Sequence, residues 1–512
     1  MRATSPLREA PADKPLIDLG SPVTVVTIML VLTAIRLVAA ATVGLTEDES
    51  YYRLWALSPA LSYYDHPPMV AWWIAAGQAI FGDTTLGVRF FTVVAVSLGS
   101  LAIWRTAILL YGEPRTAGRA VIWFNATLLV GIGAMIATPD VPSAFFWGLA
   151  LWALVELDRS SDGRWWLAVG LFAGCGLLAK YSGLFLGGGI VLWLVLIPGA
   201  RKWLLSPWLW LGGVLALALA VPVVWWNAQH DWVSFAKQFG RVAGDHVEIR
   251  FIPEFLLAEV GLIGPLMLPF LALGTRNIFR YGRRGGDAGH WLLLLSSLPF
   301  LAYLLVHGLH DRVQGNWPAP LYPAIALVSA EAAALIWVPI ARRRPWERLR
   351  PWVAPVGIGV VLLAIVHVSL PGGFVTTKDP TKQLRGWETF AHQVDLLRAQ
   401  EGAAWIGAVH YTVTGELAFY LPKGTPVFGI VEPVRYANLP VPDQALFQKP
   451  GLVLDEHRRL GTDILEARFG RYDKIGTLTR SENGVAIAHY DVWLVRDPKG
   501  DPTGRTEVVA AQ

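Results

Sequence analysis

Carboxylates and tyrosines are concentrated at the end of the first long apolar segment. Residues 46–53 read TEDESYYR, and three consecutive acids beside hydrocarbon are costly unless they face water or a cavity. A carboxylate in a cavity can accept the proton of a hydroxyl group while that hydroxyl attacks a substrate. The cluster predicts a catalytic acid–base group, with Asp48 and Glu49 as candidates. A solvated loop whose acids merely follow membrane topology is the alternative.

A second polar cluster follows closely, where residues 63–69 read YYDHPPM. Its two prolines restrict the backbone, so the polar side chains before them are held in place. The apolar segment 69–81 is too short for a span and is predicted to be a helix lying at the membrane surface. The candidate substrate contacts in these two clusters are Tyr51, Tyr52, Tyr64 and His66.

A third acidic position is Asp140, the only charged residue between Arg119 and Glu156. It lies in the segment TPDVP, with one proline directly before it and another two residues after it. The prolines limit backbone movement, which suits a catalytic carboxylate. Capping of the following helix is the alternative, and the two roles can coexist.

Three separated cations are predicted at the same surface as these acids. Lys180 lies between two apolar runs, Arg89 is near the start of the second long apolar segment, and Arg312 lies in the polar stretch 307–318. Such cations on an apolar protein predict an anionic ligand, for example a lipid phosphate. Snorkelling of Lys180 to the membrane surface is the alternative. Neighbouring candidate substrate contacts are Tyr181, Asn316 and Trp317.

One further arginine, Arg36, lies inside the first apolar segment, 12 residues before Asp48. On a helix this spacing corresponds to about 18 Å, which places Arg36 deep in the bilayer. A charge at that depth is expected to be paired inside the protein.

The composition indicates what must position these groups. Of the 512 residues, 54% are hydrophobic and 16% charged, with a mean hydropathy of +0.44, whereas soluble domains average about 25% charged residues. A single water-soluble globule is therefore not expected. The net charge of +4 comes from the apolar part and not from a basic patch, so nucleic-acid binding is not expected. The single cysteine, Cys175, lies in an apolar run and is interpreted as a packing residue.

Apolar segments that approach the length of a membrane span, about 20 residues, dominate the first 370 residues. Several are short, which predicts tilted or packed helices. The first is expected to remain as a span, because Arg36 interrupts its apolar core and no small-residue cleavage site follows it. The eleven predicted segments lie near 22–43, 86–109, 118–137, 141–157, 165–179, 183–198, 207–226, 254–273, 291–306, 317–339 and 351–370.

The orientation follows from lysine and arginine in the loops, because cytoplasmic loops retain positive charge. With the N-terminus inside, the inner loops carry 18 of these residues and the outer loops carry 6. This bias predicts that the acidic clusters and the C-terminal part lie outside the cytoplasm.

The chain is predicted to divide near residues 371–373. Residues 371–512 carry 33 of the 82 charged side chains, as expected for a soluble domain. The predicted domains are a cytoplasmic segment 1–21, a transmembrane core 22–370 and a periplasmic α/β domain 371–512. Strands are predicted at 405–411, 426–430, 451–454 and 485–495, with a helix at 414–421. His410, Tyr411 and Glu416 could contact a substrate, although the favoured interpretation is that they are ordinary domain residues.

These groups could act together in transferring a sugar that is joined through its anomeric carbon to a lipid phosphate. The phosphate is already a good leaving group, so the acceptor hydroxyl is the group that needs a base, such as Asp48. Lys180 or Arg89 would offset the negative charge that grows on the departing phosphate. In-line displacement of this kind inverts the anomeric centre.

At this point the motifs resemble a known family, the integral-membrane glycosyltransferases of the C fold type, in particular the protein O-mannosyltransferase and lipid A aminoarabinose transferase groups. The resemblance extends from residue 22 to about residue 340. The C-terminal part resembles the extracytoplasmic domains that often follow this core. The segments that carry the resemblance are 48–52, 63–68, 138–140, 178–182, 225–227 and 315–318.

The resemblance implies an α-helical polytopic membrane protein of about eleven transmembrane helices with a small C-terminal mixed α/β extracytoplasmic domain. It implies a polyprenyl-phosphate-linked sugar donor and transfer at the periplasmic face of the inner membrane. Asp48 matches the catalytic acid–base residue, Asp140 matches a second acidic position, and Lys180 matches a position near the lipid phosphate.

The large repeat domain of the protein mannosyltransferases has no counterpart in this sequence, so lipid A or another envelope glycan is the expected acceptor. The resemblance allows a uronic acid or an aminoarabinose-like sugar. Some members of the wider fold use a divalent metal, which Asp48, Asp140 and His66 could bind, but neither a metal nor another cofactor is expected here.

Two other functions are compatible with a protein of about eleven spans. A transporter or lipid flippase would place its site near the midplane, often between repeats, whereas the deep charge here is Arg36 and no internal repeat is apparent. A polymerase or ligase of surface polysaccharide would share the lipid-phosphate donor chemistry but would take a glycan chain as donor.

Overall fold

The computed structural model describes residues 17–240, 247–282, 287–370 and 379–510. The predicted boundary at 371–373 and most of the segment 1–21 lie outside these residues, so the proposed division into domains remains a prediction. The described residues before position 371 are almost entirely helical. Their α-helices are α1 Pro22–Thr42, α2 Glu47–Ala56, α3 Met69–Phe81, α4 Thr85–Tyr111, α5 Pro114–Ala126, α6 Leu128–Gly133, α7 Asp140–Ser160, α8 Trp165–Ala179, α9 Gly183–Leu196, α10 Pro207–Gln229, α11 Val233–Gly240, α12 Phe251–Ile263, α13 Leu268–Gly282, α14 Ala288–His307, α15 Tyr322–Ala332 and α16 Arg344–Ser369.

Each of the eleven predicted spans contains helix, but not all of them are single long helices. In the described residues six helices are long and apolar enough to cross a membrane, or seven if the bent pair α12–α13 forms one span. That pair turns by 102° at its break. The predicted segment 118–137 is divided into α5 and α6, because the Thr127 hydroxyl caps the second helix by accepting a hydrogen bond from the Val130 amide. The count of eleven stays a prediction.

The first polar cluster is part of a helix because of a capping box. The Thr46 hydroxyl accepts a hydrogen bond from the Glu49 amide, and the Glu49 carboxylate accepts one from the Thr46 amide. The helix α2 therefore begins at Glu47, and its first turn presents Asp48. Three acids in this turn also suit the positive end of the helix dipole.

The helix α3 has the same bounds as the predicted surface segment 69–81. Its 13 residues follow the rigid turn after Asp65. The loop between α2 and α3 is thus anchored at both ends by helices.

The C-terminal domain is the predicted mixed α/β unit. Its five-stranded sheet has the order β2-β1-β3-β5-β4, with β1 parallel to β2 and β3, and with β5 antiparallel to β3 and β4. The elements are α17 Trp387–Gln400, β1 Trp405–Ala408, α18 Tyr411–Tyr420, β2 Val427–Gly429, α19 Gln444–Phe447, β3 Gly451–Glu456, α20 Thr462–Arg468, β4 Phe469–Glu482, β5 Val485–Pro498 and α21 Arg505–Ala510.

The four predicted strands and the predicted helix are present, but the strand predicted at 405–411 ends at Ala408 and α18 begins at Tyr411. The strand β4 and the helices α17, α19, α20 and α21 were not predicted. The strand β4 pairs with β5 through a two-residue turn at Asn483 and Gly484, both of which have positive φ. An Asn-Gly pair is the usual signal of such a hairpin. That signal was present in the sequence and could have identified β4.

The helical part and the C-terminal domain each have a large apolar core, and a third core contains residues of both parts. The third core contains Tyr51, Trp55 and Tyr63 from the region around α2, together with Tyr436 from the C-terminal domain. Phe419 of α18 packs against the same core. The C-terminal domain is therefore packed directly on the helix that carries the first acidic cluster.

Candidate active site

A cavity of about 850 Å³ lies between the helical part and the C-terminal domain. Its wall is formed by the first turn of α2, the loop before α3, the start of α7, the break between α8 and α9, and residues of the C-terminal domain. Ten of the thirteen candidate residues line it: Asp48, Tyr51, Tyr52, His66, Asp140, Lys180, Tyr181, Arg312, Asn316 and Trp317.

Asp48 presents its carboxylate to this cavity. The Tyr411 hydroxyl donates a hydrogen bond to Asp48 Oδ1 at 3.2 Å. Burial by the surrounding protein raises the pKa of Asp48 above its usual value, the carboxylates of Asp65 and Asp140 raise it further, and the Tyr411 hydrogen bond opposes the rise. A carboxylate with a raised pKa is a better proton acceptor than an ordinary aspartate.

Asp140 is held by two side chains from other elements. Lys180 Nζ lies 2.5 Å from Asp140 Oδ1, and the Asn316 amide donates a hydrogen bond to Oδ2 at 2.7 Å. Pro139 occupies the cap position of α7 and no side chain caps this helix end, so the alternative of a capping role does not describe Asp140. Its carboxylate instead fixes Lys180 at the cavity wall.

Lys180 follows the last residue of α8 in an extended conformation, where α8 and α9 separate. Its ammonium lies 5.8 Å from the centre of the Trp317 ring, a cation–π contact. The side chain is mostly buried, with 13% exposed. Lys180 therefore points into the cavity and does not snorkel to the membrane surface.

Glu49 and Arg89 require a correction, because they face each other and not the cavity. Arg89 Nε and Nη2 donate to the two oxygens of Glu49, both at 2.7 Å, and the remaining donors reach backbone carbonyls at the end of α1. Glu49 also accepts from the Ala137 amide at 2.8 Å. With 0% and 1% exposed, the two residues form a buried pair that joins α1, α2, α4 and the segment before α7. Arg89 is therefore not placed to contact a phosphate in the cavity.

Asp65 is the centre of a second group of charges, which sequence reasoning missed. Its carboxylate accepts hydrogen bonds from the Tyr51 hydroxyl at 2.8 Å and from Arg435 Nη1 at 2.7 Å, and it also pairs with Lys237. Burial alone would raise the pKa of Asp65, but Arg435 and Lys237 together hold it below its usual value. Asp65 stands in the same motif as His66, whereas no local pattern distinguishes Arg435 from the other arginines of the C-terminal domain.

The predicted aromatic contacts occupy different places around these charges. Tyr64 is not part of the cavity lining, and its ring packs against Lys237 at 4.0 Å and Arg435 at 5.4 Å. The Tyr181 hydroxyl forms a hydrogen bond with the Ser234 hydroxyl at 2.8 Å. Tyr64 therefore supports the second charge group, and Tyr181 is attached to α11.

Arg312 lies at the rim of the cavity. Its side chain is 63% exposed, and Nη2 lies 2.9 Å from Glu254 Oε2. A guanidinium in this position can meet a ligand from outside more readily than one inside the wall.

Arg36 has polar partners inside the protein, as expected. Its Nη1 donates to Asn125 Oδ1 at 2.8 Å, and its Nε donates to the Gly131 carbonyl at 3.3 Å. The residue is buried and does not line the cavity.

Ion pairing separates the cavity carboxylates into two kinds. Asp65 and Asp140 are paired with cations, whereas within residues 17–240, 247–282, 287–370 and 379–510 Asp48 and Asp311 have no ion-pair partner. In the same described part of the chain no group of three or more His, Cys, Asp or Glu side chains is arranged to hold a metal ion. Asp48 is thus a carboxylate of the cavity wall that is not neutralised by a cation in the described residues.

The C-terminal residues singled out in the sequence differ in their location. Tyr411 lines the cavity, where it could contact a substrate. His410 caps the start of α18 and does not line the cavity. Glu416 is fully buried in the C-terminal domain.

Comparisons with known proteins find relatives of the chain by sequence and by structure. Residues 65–226 match the family model for dolichyl-phosphate-mannose-protein mannosyltransferases. The chain is similar to the lipid A galacturonosyltransferase of Rhizobium johnstonii, with 27% identity over 297 residues that cover 57% of this chain and 61% of that protein. It is also similar to an undecaprenyl phosphate-alpha-4-amino-4-deoxy-L-arabinose arabinosyl transferase of Pseudomonas fluorescens, with 26% identity over 460 residues, 75% of this chain and 80% of the other.

The solved structure of ArnT from Cupriavidus metallidurans bound to undecaprenyl phosphate superposes with a TM-score of 0.64 at 14% identity, covering 92% of this chain and 98% of that one. The chain therefore has the fold of that structure. The shared fold includes much of the C-terminal domain, because the superposition extends over nearly the whole chain. The aligned region spans less than two thirds of the Rhizobium relative's length.

Proposed function

We propose that the protein is an inverting glycosyltransferase that moves a sugar from a polyprenyl-phosphate donor to a hydroxyl or phosphate group of an envelope lipid or glycan resembling lipid A. The observation that carries the proposal is the location of Asp48, a carboxylate without an ion-pair partner in the described chain, in the same cavity as the Lys180–Asp140 pair. The names of the relatives support the choice of substrates, since one is a lipid A galacturonosyltransferase and another acts with undecaprenyl phosphate-linked aminoarabinose.

The cavity has one wall suited to an isoprenoid chain. Beyond Lys180 the lining becomes apolar and aromatic. The ring centre of Phe185 in α9 lies 5.3 Å from that of Phe300 and 4.7 Å from that of Tyr303, both in α14. A lipid chain along this wall would place its phosphate at the charged end, beside Lys180. Such a site combines an apolar wall with a few placed polar groups, as ligand sites usually do.

In the proposed reaction the acceptor hydroxyl attacks the anomeric carbon of the sugar from the side opposite the phosphate. Asp48 takes the hydroxyl proton as the new carbon–oxygen bond forms. The bond between the anomeric carbon and the phosphate oxygen breaks, and its electron pair remains on the lipid phosphate. Lys180 offsets the charge that develops there, and attack from the opposite side inverts the configuration. A phosphate acceptor is already ionised and would need no base.

Metal-free transfer is part of the proposal. The carboxylates of Asp65 and Asp140 are already neutralised by Lys237, Arg435 and Lys180, so binding a divalent cation there would require these ion pairs to break. We expect purified protein to retain full transfer activity after treatment with EDTA. A loss of activity that is restored by added Mg²⁺, Mn²⁺ or Zn²⁺ would contradict this part.

The protein is proposed to reside in the inner membrane, with its N-terminus cytoplasmic and its C-terminal domain periplasmic. The threefold excess of lysine and arginine in the inner loops supports this orientation. An epitope at the C-terminus should be accessible to protease in spheroplasts, and protection of the epitope would reverse the orientation.

The reaction can be tested in detergent solution, where no membrane separates donor from acceptor. In detergent solution, purified protein mixed with a polyprenyl-phosphate sugar and lipid A should give a product heavier by one sugar. A flippase, the main alternative, forms no covalent product under these conditions. A polysaccharide polymerase would add a series of masses instead of one.

A substitution in the same experiment tests the proposed base. Asp48→Asn should lower transfer to a hydroxyl acceptor by about 10²–10⁴-fold with normal expression and membrane insertion. Glu47→Gln is the matched control, because Glu47 lies in the same helical turn but not in the cavity lining. Full activity of Asp48→Asn with a hydroxyl acceptor would reject the assigned base. Mass spectrometry of envelope lipids from cells with and without the gene would identify the sugar and its acceptor.

A further inference from the structure

We infer that the C-terminal domain completes the active site, with Tyr411 as a positioning residue that orients the Asp48 carboxylate. The inference rests on the proposed function. It assigns the domain a part in catalysis, carried by contacts between α18 and α2.

The two helices touch at a glycine. A Cβ atom on Gly415 would lie 2.8 Å from the Tyr51 amide nitrogen and 2.7 Å from the Ser50 hydroxyl, distances too short for any side chain. One turn further along, Arg53 Nη1 donates to the Ala418 carbonyl at 3.2 Å. The backbone of α18 is therefore seated directly on the backbone of α2.

This contact determines the position of Tyr411. Tyr411 precedes Gly415 by four residues and so lies on the same face of α18. Its ring packs against the Tyr51 ring with 4.6 Å between centres, and its hydroxyl reaches Asp48. A change at the Gly415 contact would move this hydroxyl relative to the carboxylate.

A second element of the C-terminal domain also contacts the Tyr411 ring. The Arg435 guanidinium lies 4.6 Å from the centre of this ring while it donates to Asp65. Tyr411 thus packs against both Tyr51 and Arg435, which also contact each other. These contacts restrict the ring that carries the hydroxyl donating to Asp48.

The hydrogen bond has a chemical consequence for the base. The groups around Asp48 are Tyr411 from α18, Asp65 from the loop before α3, Asp140 from α7 and Glu49 from its own helix. The three carboxylates disfavour the ionised form of Asp48, and Tyr411 is the neighbour that favours it by donating a hydrogen bond. The hydroxyl therefore favours the ionised form of Asp48 and, by donating to Oδ1, fixes the orientation of the carboxylate at the cavity wall.

The test compares two tyrosines of the same helix in the full-length protein. Tyr411→Phe keeps the ring but removes the hydrogen bond to Asp48, and we expect kcat to fall about threefold to tenfold, the usual effect of one hydrogen bond. The acid limb of the kcat/KM profile should move to higher pH, because the pKa of Asp48 rises when its donor is removed. Tyr420→Phe is the control, since the Tyr420 hydroxyl also joins the two parts of the protein, through the Leu45 amide at 3.3 Å, but lies outside the cavity lining.

A pH profile for Tyr411→Phe that coincides with those of wild type and Tyr420→Phe would overturn the inference. If Asp48→Asn is inactive at the same time, the proposed function survives and this inference alone fails. If Asp48→Asn is active with a hydroxyl acceptor, both fail.

A second variant tests the helix contact itself. Gly415→Val should separate α18 from α2 and lower kcat more than Tyr411→Phe, with membrane insertion unchanged. Gly476→Ala is the control in the same domain, because nothing lies within 4 Å of a Cβ atom at that position. Wild-type kcat in folded Gly415→Val would contradict the proposed role of the contact.

Discussion

Lys180 and Asp140 form a direct ion pair in the cavity wall, with 2.5 Å between Nζ and Oδ1. The ammonium group has three donors, and the second carboxylate oxygen is occupied by Asn316. A donor phosphate would therefore share Lys180 with Asp140. The carboxylate fixes the ammonium in place before the substrate arrives, which reduces the cost of ordering it on binding.

Replacing Lys180 should weaken the use of the lipid-phosphate donor. We expect Lys180→Ala to raise the apparent donor KM by tenfold or more, since hydrogen bonds to charged groups contribute about 1.5–3 kcal/mol. Steady-state kinetics with varied donor and fixed acceptor measures the effect. An unchanged donor KM would remove the phosphate role.

A double-mutant cycle distinguishes the phosphate role from a structural one. If Lys180 acts only by neutralising Asp140, Lys180→Ala should have little effect in an Asp140→Asn background. If Lys180 also binds the donor, its loss should still raise the donor KM in that background. We expect the second result.

The pH dependence of transfer should report the unusual environment of Asp48. Because burial raises the pKa of Asp48, the ionised base is lost at a higher pH than for an ordinary aspartate. We expect kcat/KM for a hydroxyl acceptor to fall as the pH decreases, with a midpoint above about 4, the usual aspartate value. A profile that is flat down to pH 4 would show that no such base titrates.

The buried Glu49–Arg89 pair should contribute to stability and not to donor binding. Glu49→Gln leaves Arg89 buried without its charge partner, and breaking such a pair costs about 3–5 kcal/mol. We expect a clear fall in Tm in detergent, with the donor KM unchanged in the protein that remains folded. The control is Arg164→Gln, because the side chains of Arg164 and its partner Asp162 are 73% and 35% exposed and exposed pairs contribute little to stability. An unchanged Tm for Glu49→Gln would contradict the assignment.

The cavity residues that could be predicted from the sequence share one property. Asp48, Asp140 and Lys180 each lie at the end of an apolar segment on the same predicted side of the membrane. Membrane topology alone therefore brings them to one surface. The structure places all three in one cavity.

The residues that were misjudged depend on contacts that no local pattern reveals. Membrane topology predicts that Arg89 and Asp48 lie on the same side of the membrane. Whether an arginine there faces the cavity or a neighbouring acid depends on helix rotation and packing. Tyr411 contacts Asp48 across 363 positions of the chain, and its motif resembles that of any helix start. Packing of the C-terminal domain on α2 could not be derived from hydropathy, because hydropathy separates the two parts without showing how they meet.

The group formed by Asp65, Lys237 and Arg435 should join the C-terminal domain to the helical part in a pH-dependent manner. The folded-state pKa of Asp65 lies below its usual value, so the ionised carboxylate stabilises the folded protein at pH values above about 4. This contribution is lost as the pH falls through the lowered pKa. Asp65→Asn should therefore have a lower Tm than wild type at pH 7, and the difference should shrink in strong acid.

Arg435→Gln tests the same group from the side of the C-terminal domain. The change removes the link to Asp65 and the contact with the Tyr411 ring, so we expect faster proteolysis of the C-terminal domain and reduced kcat. Arg458→Gln is the control, because Arg458 belongs to the same domain but its side chain is 72% exposed beside Glu456.

Since activity depends on Asp48 and stability on Asp65, acid should abolish transfer at a higher pH than the one at which the C-terminal domain separates from the helical part. Simultaneous loss of the two properties would show that one titration controls both.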